Sequence, residues 1–584
     1  MGSVAILVAI FAVWAGYKFY AGAIDRDVIK ADPNKATPAK MYNDGVDFMP
    51  ASSAVLFGYQ FKSIAALGPI VGPIVAVQWG WLPAVLWLLL GVFFIGWVQD
   101  YASAVMAMRN DGLTMGGLSY KLISPRARTI LLSFLYFYLL LIMGAFGAIS
   151  AGLFSNPKVP FGFIILTLAG VLSGQMTYRW RKDLVFTTLV CVGVAVIGIW
   201  LGTTGPFQSI VDVVNGGKGS FKLFDTPYGP MMWSVFFWGI VVLFFCYLGS
   251  VLPIWQFAQP VNYVAFWLVL VGIMGSIVGV FLTMPSFGDF PAFTGFYVKG
   301  IIAPGVDTPL WPILFITIAC GAISGWHSLV STSGTARQLE KETDALPVGA
   351  GAMFTEGVLA VLSVVFAVTA FGGFKGYMEV LTKGGGPAGV FARGMAKYLN
   401  VLYVPEDFGL AFGSAFLVIM ALTVMQLVLR FMRVASAELL GNAIPAFRNV
   451  HFGTIVGVLL TLLLMWTGFW SRIWILFGGS NQLFASLALV LITIWLATTG
   501  KSYQWAMWPA IFMYVSTVAG LLVTAYVSFQ AAFTSGLKAA FVFGNLVAAA
   551  IGFTLVILAL FLAWDALQAF NRVRGAVKPA TAQA

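Results

Sequence analysis

Apolar residues run along this chain in long blocks separated by short polar connections. A helix needs about 20 mostly apolar residues to cross a bilayer. By that measure the pattern predicts about fifteen membrane helices. They fall at 4–21, 53–77, 82–107, 129–153, 160–177, 183–203, 232–252, 262–284, 312–331, 352–371, 410–432, 452–470, 473–498, 506–527 and 539–563. The region 374–400 has room for an extra short or re-entrant helix. No connection is long enough to hold a soluble domain. Lys18, Arg26 and Lys30 follow the first apolar run rather than precede it, opposite to the order in a cleaved leader.

Composition sharpens the picture. Of 584 residues, 60% are hydrophobic and 9% charged, whereas a soluble domain is roughly 25% charged. So few charges cannot clothe a globular surface, and the outer surface must face lipid. Disorder is excluded on the same ground. Cys191, Cys246 and Cys320 lie inside apolar runs, which suits neither a disulfide framework nor a cysteine metal site. The net charge of +11 reads as Lys and Arg in cytoplasmic loops, not as a nucleic-acid surface. With the N-terminus outside, the connections assigned inside hold 20 Lys and Arg and those assigned outside hold 10. The densest signal is the turn Arg179-Trp180-Arg181-Lys182. Four positive residues in 375–397 run against the count, and a further crossing there would invert every later helix.

Interruptions in the helices bear most directly on function. A carrier needs polar groups at mid-bilayer without orphaned backbone, and a discontinuous helix supplies them. Two Gly/Pro runs stand out. One is Gly68-Pro69-Ile70-Val71-Gly72-Pro73 within 53–77. The other is Gly249-Ser250-Val251-Leu252-Pro253, followed by Gln256 and Gln259. Proline removes a donor and disfavours helical geometry before it. Taking 53–203 as five helices and 232–432 as another five, the two runs fall on the first helix of each set, and the sets are oppositely oriented. That is the five-plus-five inverted repeat of LeuT-like transporters. The alternative is that Gly and Pro merely kink two helices. The expected organisation has 1–52 as an extra helix and cytoplasmic loop, 53–203 and 232–432 as the repeats, and 204–231 as an external loop. It ends with 433–564 as additional membrane helices and 565–584 as a cytoplasmic tail. The run 320–335 becomes helix 8 of this count. Its Ser328, Ser331 and Thr332 either offer hydroxyls to a sodium ion or serve close packing. The run 477–482 reads as local unwinding with structural polar bonds.

Charges inside a bilayer are costly and usually functional. Lys62 lies near the first Gly/Pro run, Asp100 toward the inner end of its helix, His327 in 312–331, and Glu356 at the start of 352–371. Lys62 and Asp100 can form a structural ion pair, and His327 can be a packed core histidine. A proton-coupled carrier needs a titrating group within reach of its substrate. Asp100 has that chemistry, as does His327, whose ordinary pKa is about 6.5. Glu356 reads as a charge at a helix N-terminus. His327 and His451 are the only histidines, too few for a histidine metal cluster, and no GxSxG, HExxH or P-loop pattern is present. The expectation is a non-enzyme without a cofactor, driven by an H+ or Na+ gradient or by its substrate's own.

Several longer runs carry a family resemblance. They are Asp32-Pro33-Asn34-Lys35-Ala36-Thr37-Pro38-Ala39, Asn43-Asp44-Gly45-Val46-Asp47-Phe48-Met49-Pro50, Val55-Leu56-Phe57-Gly58, Gly68 to Pro73, Val98-Gln99-Asp100-Tyr101, Arg109-Asn110-Asp111-Gly112, Cys320 to His327, and Asn481-Gln482. In these the chain resembles the carbon starvation protein A (CstA) family. The resemblance implies an inner-membrane secondary transporter related to the amino acid–polyamine–organocation superfamily. It implies uptake of peptides or of pyruvate when carbon is scarce, the pyruvate-type members being similar to proton symporters. Where many relatives carry a His-His pair after the Phe-Gly of the first repeat helix, this chain has Tyr59 and Gln60. A family aspartate aligns with Gln426, while Arg430 and Arg433 remain.

The resulting expectation is an all-α polytopic membrane protein that takes up small carboxylated solutes, short peptides first and pyruvate second. Gly68, Pro69, Gly72, Pro73, Gly249, Ser250 and Pro253 frame the expected carboxylate site, since helix N-termini hold anions. Tyr59, Gln60 and Lys62 adjoin it. His327, Asp100, Ser328, Ser331 and Thr332 are the expected ion-coupling residues. A non-transporting nutrient receptor with a partner kinase is the rival reading. The oligomeric state is open.

Overall fold

The computed structural model describes residues 1–217, 220–302, 305–534 and 537–581, with side chains as far as 575. Among the described residues, thirteen continuous helices are long and apolar enough to cross a membrane, and one bent pair taken as a span makes fourteen. A second interrupted pair, within 310–333, completes the expected fifteen when taken as a crossing. Two short antiparallel ribbons join crossings, Lys222–Thr226 with Gly229–Met232 and Tyr297–Lys299 with Asp307–Pro309.

The first interrupted crossing comprises Ser53–Ile64 and Gly68–Trp79, bent by 45°. The interruption is at 65–67, just before the Gly/Pro run and not within it. Pro69 occupies the first turn of the second half, where a missing N–H costs nothing, so the run starts a helix instead of breaking one. The second interrupted crossing comprises Leu310–Thr317 and Gly325–Ser333, separated by 318–324. This is the irregular, hydroxyl-rich run expected as helix 8.

The interruption expected at Gly249–Pro253 is not one. Trp233–Val251 completes a crossing there, and Ala258–Thr283 begins another. Leu252, held extended ahead of Pro253, ends the helix. The run 477–482 is also helical, within Phe477–Thr498, because its polar side chains reach neighbouring helices rather than their own backbone. The region 374–400 forms two helices too short to cross, Phe374–Lys383 and Gly386–Asn400, turned at Gly384 to Gly386. Its positive residues therefore stay on one face, and the chain direction beyond it is not inverted.

Packing arranges these helices around the two interrupted ones. Pro125–Phe154 and Glu406–Leu440 form a long central pair. Trp233–Val251 and Val450–Thr467 each lean on both members of that pair. Ala258–Thr283 flanks Ser53–Ile64, and Phe477–Thr498 flanks Gly325–Ser333. Trp81–Met108 and Glu342–Thr369 bracket the interrupted helices themselves. Pro160–Arg179 and Leu184–Gly202 stand outside this set. They pack on each other and on Ala258–Thr283, and turn Leu168, Leu189 and Trp200 outward. Gly198 lies where a Cβ would overlap Ile165, so small residues set their close approach.

Polar ties fix the two faces. On one, Arg109 donates to both oxygens of Glu342 at 2.6 and 2.9 Å, Asp32 N–H donates to Glu342 at 2.8 Å, and Lys501 donates to the carbonyl of Ile29 at 2.5 Å. On the other, Gly2 N–H donates to the Pro285 carbonyl at 3.0 Å. Crossing parity places Tyr120 on the first face and Tyr403 on the second, 54% and 97% exposed respectively, while all three native cysteines are buried. An impermeant maleimide should therefore label only one of Tyr120→Cys and Tyr403→Cys in sealed cells, and both after permeabilisation. Labelling of both from outside would overturn the crossing pattern.

Candidate functional site

The two interruptions meet at the centre of the bundle. A Cβ on Gly68 would overlap the side chain of Cys320, and one on Gly72 would overlap the carbonyl oxygen of Thr317. Only glycine permits backbone to approach that closely. Trp326 Nε1 donates to the Ser63 carbonyl at 2.6 Å across the same contact.

Backbone freed in a bilayer must be satisfied by something else. Around 318–324 the partners are buried amides and indoles. Gln99 Nε2 donates to the Ser324 carbonyl at 2.5 Å and Trp87 Nε1 to the Ile318 carbonyl at 3.3 Å. Gln482 Nε2 reaches the carbonyls of Phe315 and Ile323 at 3.3 and 3.2 Å. Asn481 Oδ1 accepts from the Tyr138 hydroxyl at 2.6 Å, the Ser324 hydroxyl at 3.1 Å and the Trp326 N–H at 3.2 Å. At the first interruption, Lys62 Nζ donates to the Ala65 carbonyl at 3.1 Å. Asn262 Nδ2 donates to the Ser63 hydroxyl at 2.8 Å, and Gln426 Nε2 to Asn262 Oδ1 at 3.1 Å. Among the described residues, no protein group bonds the N–H of Ala66, Leu67, Ala319, Cys320 or Gly321. These amides remain available to a ligand.

Four ionisable side chains, Lys62, Asp100, His327 and Glu356, are fully buried here. His327 Nδ1 lies 3.2 Å from Asp100 Oδ2, and its Nε2 lies 3.2 Å from Glu356 Oε2. Both are charge contacts rather than aligned hydrogen bonds. Asp100 comes from Trp81–Met108 and Glu356 from Glu342–Thr369, so the imidazole joins the two helices that bracket the crossing. The expected headgroup position of Glu356 is therefore corrected. Its helix begins at Glu342, more than three turns earlier, and carries it into the core. The expected Lys62–Asp100 pair is also absent: Asp100 faces His327, while Lys62 caps Ala65 and is coupled by charge to Glu356. Two carboxylates, one amine and one imidazole are near neutrality only when the right number of protons is bound. An unpaired charge at such depth is strongly unfavourable, so the charges gathered here must balance one another.

The remaining predicted residues divide. Gln60 joins the two interrupted helices, donating to the Ser331 hydroxyl at 3.0 Å and accepting from the Thr335 hydroxyl. Tyr59 is buried nearby, beside Gly334. Ser328 and Thr332 donate back to carbonyls of their own helix, at Gly325 and Ser328, both at 2.8 Å. Around Gly249–Pro253 the neighbouring backbone is already occupied. Leu252 N–H bonds the Leu248 carbonyl at 3.0 Å, the Gly249 carbonyl accepts from Arg430 at 3.2 Å, and Ser250 bonds Thr454 at 3.0 Å. Sequence reasoning left out Gln99, Asn262, Asn481 and Gln482 as site residues. Their signal was amide side chains inside otherwise apolar blocks, Gln99 beside Asp100 and Asn481 beside Gln482.

A cavity of about 580 Å³ adjoins the crossing, within the usual size of a small-ligand site. Leu67, Gly68 and Ala319 line its inner end, and Phe146, Ile316 and Trp474 line its walls. Pro387 and Ala388, from the short helical pair, border it as well. The freed amides of Leu67 and Ala319 therefore belong to residues on the lining of an otherwise apolar space.

A family model described as "Carbon starvation protein CstA" matches residues 1–382 and 374–520. The chain is 30% identical to the pyruvate/proton symporter BtsT of Escherichia coli strain K12, over 88% of this chain and 81% of that protein. It is 29% identical to the peptide transporter CstA of Campylobacter jejuni, over 88% of this chain and 79% of that protein. Among solved structures, it is similar to MhsT in complex with L-phenylalanine, with 13% identity and a TM-score of 0.43, over 88% of this chain and 99% of that one.

The support given by Asn481 yields a prediction. Asn481→Leu removes the acceptor of three buried donors and should lower unfolding free energy by about 1–3 kcal/mol. Thermal unfolding in detergent measures this. An unchanged transition would show that those donors find other partners.

Proposed function

Because the chain belongs to the carbon starvation protein CstA family, we propose that it is a proton-coupled secondary transporter that takes up short peptides through the cavity beside the two interruptions. The observation that carries this reading is His327, held between Asp100 and Glu356 where the interrupted helices cross. A proton bound there changes the charge of a buried set whose members belong to both interrupted helices and both bracketing helices. The carboxylate of a peptide supplies the complementary change, with Lys62 and the free amides of Leu67 and Ala319 as its receivers. Occupancy of proton and substrate are then linked through one charge balance.

Sodium is the second coupling reading: Ser328 and Thr332 donate to carbonyls of their own helix and keep oxygen lone pairs for a hard cation. Pyruvate is the second substrate reading, favoured by the similarity to BtsT and by the carboxylate it shares with peptides. The apolar walls and size of the cavity support peptides first.

We take the face bearing 22–52 and 109–124 as cytoplasmic, on the 20-to-10 distribution of Lys and Arg, and the membrane as the inner one. The cavity then lies on the outer side of the interruptions. We also place the first repeat at 53–283, with 160–202 as an inserted helix pair, and the second at 310–498. The support is the matched packing around each interrupted helix.

In proteoliposomes, His327→Gln and Glu356→Gln should retain counterflow of a labelled dipeptide but lose accumulation driven by an acidic exterior. Counterflow moves loaded carriers both ways and needs no net proton release, whereas accumulation does. Unchanged pH-driven accumulation in both variants would overturn the coupling role. Binding without counterflow in the unaltered protein would favour a receptor.

A further inference from the structure

We propose that Arg430 and Arg433 form a second carboxylate site on the cytoplasmic face, which Asp47 fills and shuts until the carrier opens inward. The proposal rests on the reading that the substrate carries a carboxylate.

Two guanidinium groups here share one carboxylate. Arg430 Nη1 donates to Asp47 Oδ1 at 2.6 Å, and Arg433 Nη2 lies 4.0 Å from Asp47 Oδ2. Among the described residues no other carboxylate lies within ion-pair distance of either arginine. Arg433 is only 8% exposed, yet its guanidinium donates no hydrogen bond to any described residue. A buried guanidinium is stable when its planar donors meet an anion. The site therefore has more donor capacity than Asp47 uses.

The arginine side of the contact is anchored on a long helix, and the aspartate side is carried on the segment that leads into the first interrupted helix. Arg430 also donates to the carbonyls of Gly249 and Leu252, which anchor it to the end of Trp233–Val251. Asp47 sits in a turn built around Asp44, whose Oδ1 accepts the N–H groups of Val46, Asp47 and Phe48 at 2.8 to 2.9 Å. Burial pushes Asp44 upward, but those N–H bonds outweigh it and hold the carboxyl below its usual range. The turn is tied across the cytoplasmic ends of three helices. Ile254 N–H donates to the Val46 carbonyl at 3.0 Å, Trp255 Nε1 to the Gly45 carbonyl at 3.1 Å, and Met49 N–H to the Arg337 carbonyl at 3.2 Å. Arg337 itself lies over the ring of Phe48, 4.9 Å from its centroid.

The segment then runs directly into Ser53–Ile64, the first half of the interrupted helix that bears Gln60 and Lys62. Withdrawal of that half-helix would carry Asp47 away from the anchored arginines. It would leave two guanidinium groups open to whatever anion leaves the central site. A departing substrate carboxylate replaces the protein's own, so neither the closed nor the open form buries unpaired positive charge. Arg430 and Arg433 thereby become residues for release and for recognition from the cytoplasmic side.

Sidedness tests the proposal. Exchange of labelled pyruvate and of a labelled dipeptide is measured in right-side-out and inverted membrane vesicles. Arg433→Gln should raise the half-saturating concentration on the cytoplasmic side by about tenfold, the value of one charge-assisted contact. The external side should be unchanged, and Arg433→Lys should recover part of the loss. Asp47→Asn is nearly isosteric at a partly exposed position. It should lower the cytoplasmic half-saturating concentration, because the competing anion is gone. Equal shifts on both sides, or none in either variant, would overturn the site while leaving the transport reading intact. Absence of exchange of both solutes in the unaltered protein would instead remove the transport reading, and this proposal with it.

Discussion

Backbone that leaves a helix inside a bilayer must find partners, or each orphaned group costs several kcal/mol. The structure is arranged around meeting that requirement at two places at once. The interruptions at 65–67 and 318–324 lie against each other, so the protein surrounds its exposed backbone with its own most buried surface. Carbonyls are satisfied by Gln99, Trp87, Gln482 and Lys62, all reached from neighbouring helices or from the adjacent turn. Amides are left over. Carbonyl acceptors are thus met by the protein while amide donors are not, a polarity that supports the proposed anionic substrate.

The same geometry explains why ionisable groups tolerate such burial. His327 cannot be solvated where it lies, and neither can Asp100 or Glu356. Together they compensate one another in charge, and Lys62 is buried in the same region. The helices that bring them together are the interrupted pair and the pair that brackets it. A change of protonation therefore acts on the contacts between the elements whose relative position sets access. On the proposed reading, coupling needs no separate device, since the group that binds the proton also holds the crossing together.

Much of this was legible in the sequence. The apolar blocks gave the crossings, because the bilayer imposes a length and a composition that few other environments require. The Gly68–Pro73 run marked the first interruption, and His327 and Asp100 were recognisable as charges too costly to be incidental. The second interruption was misplaced for a physical reason. Gly and Pro mark both broken helices and helix ends, and Gly249–Pro253 is an end. The true interruption, 318–324, contains no proline, and its backbone is held open by amides from distant helices. No local pattern can report partners supplied by residues 99 and 482. The placement of Glu356 failed similarly, since the apolar block concealed a helix that starts at Glu342.

Counting helices in order gave the expected repeats 53–203 and 232–432, for which we propose 53–283 and 310–498 instead. Pro160–Arg179 and Leu184–Gly202 are as apolar as the core crossings, so hydropathy alone admits them to the first repeat. Leu189 and Leu168 face outward, but so do Leu459 and Leu463 of Val450–Thr467, so burial alone does not set the pair apart from the repeat helices. An inserted pair adds two crossings and preserves the direction of every later helix, so the Lys and Arg distribution cannot detect it. What supports the proposed insertion is that, among the described residues, the second half shows no counterpart to it. Each remaining helix from 53 to 283 has a partner between 310 and 498 with equivalent neighbours. On that pairing, Asp47 and Arg430 acquire a place in the plan. The segment entering the first interrupted helix is clasped by the long helix of the opposite repeat, so movement of one repeat against the other must pass through this contact.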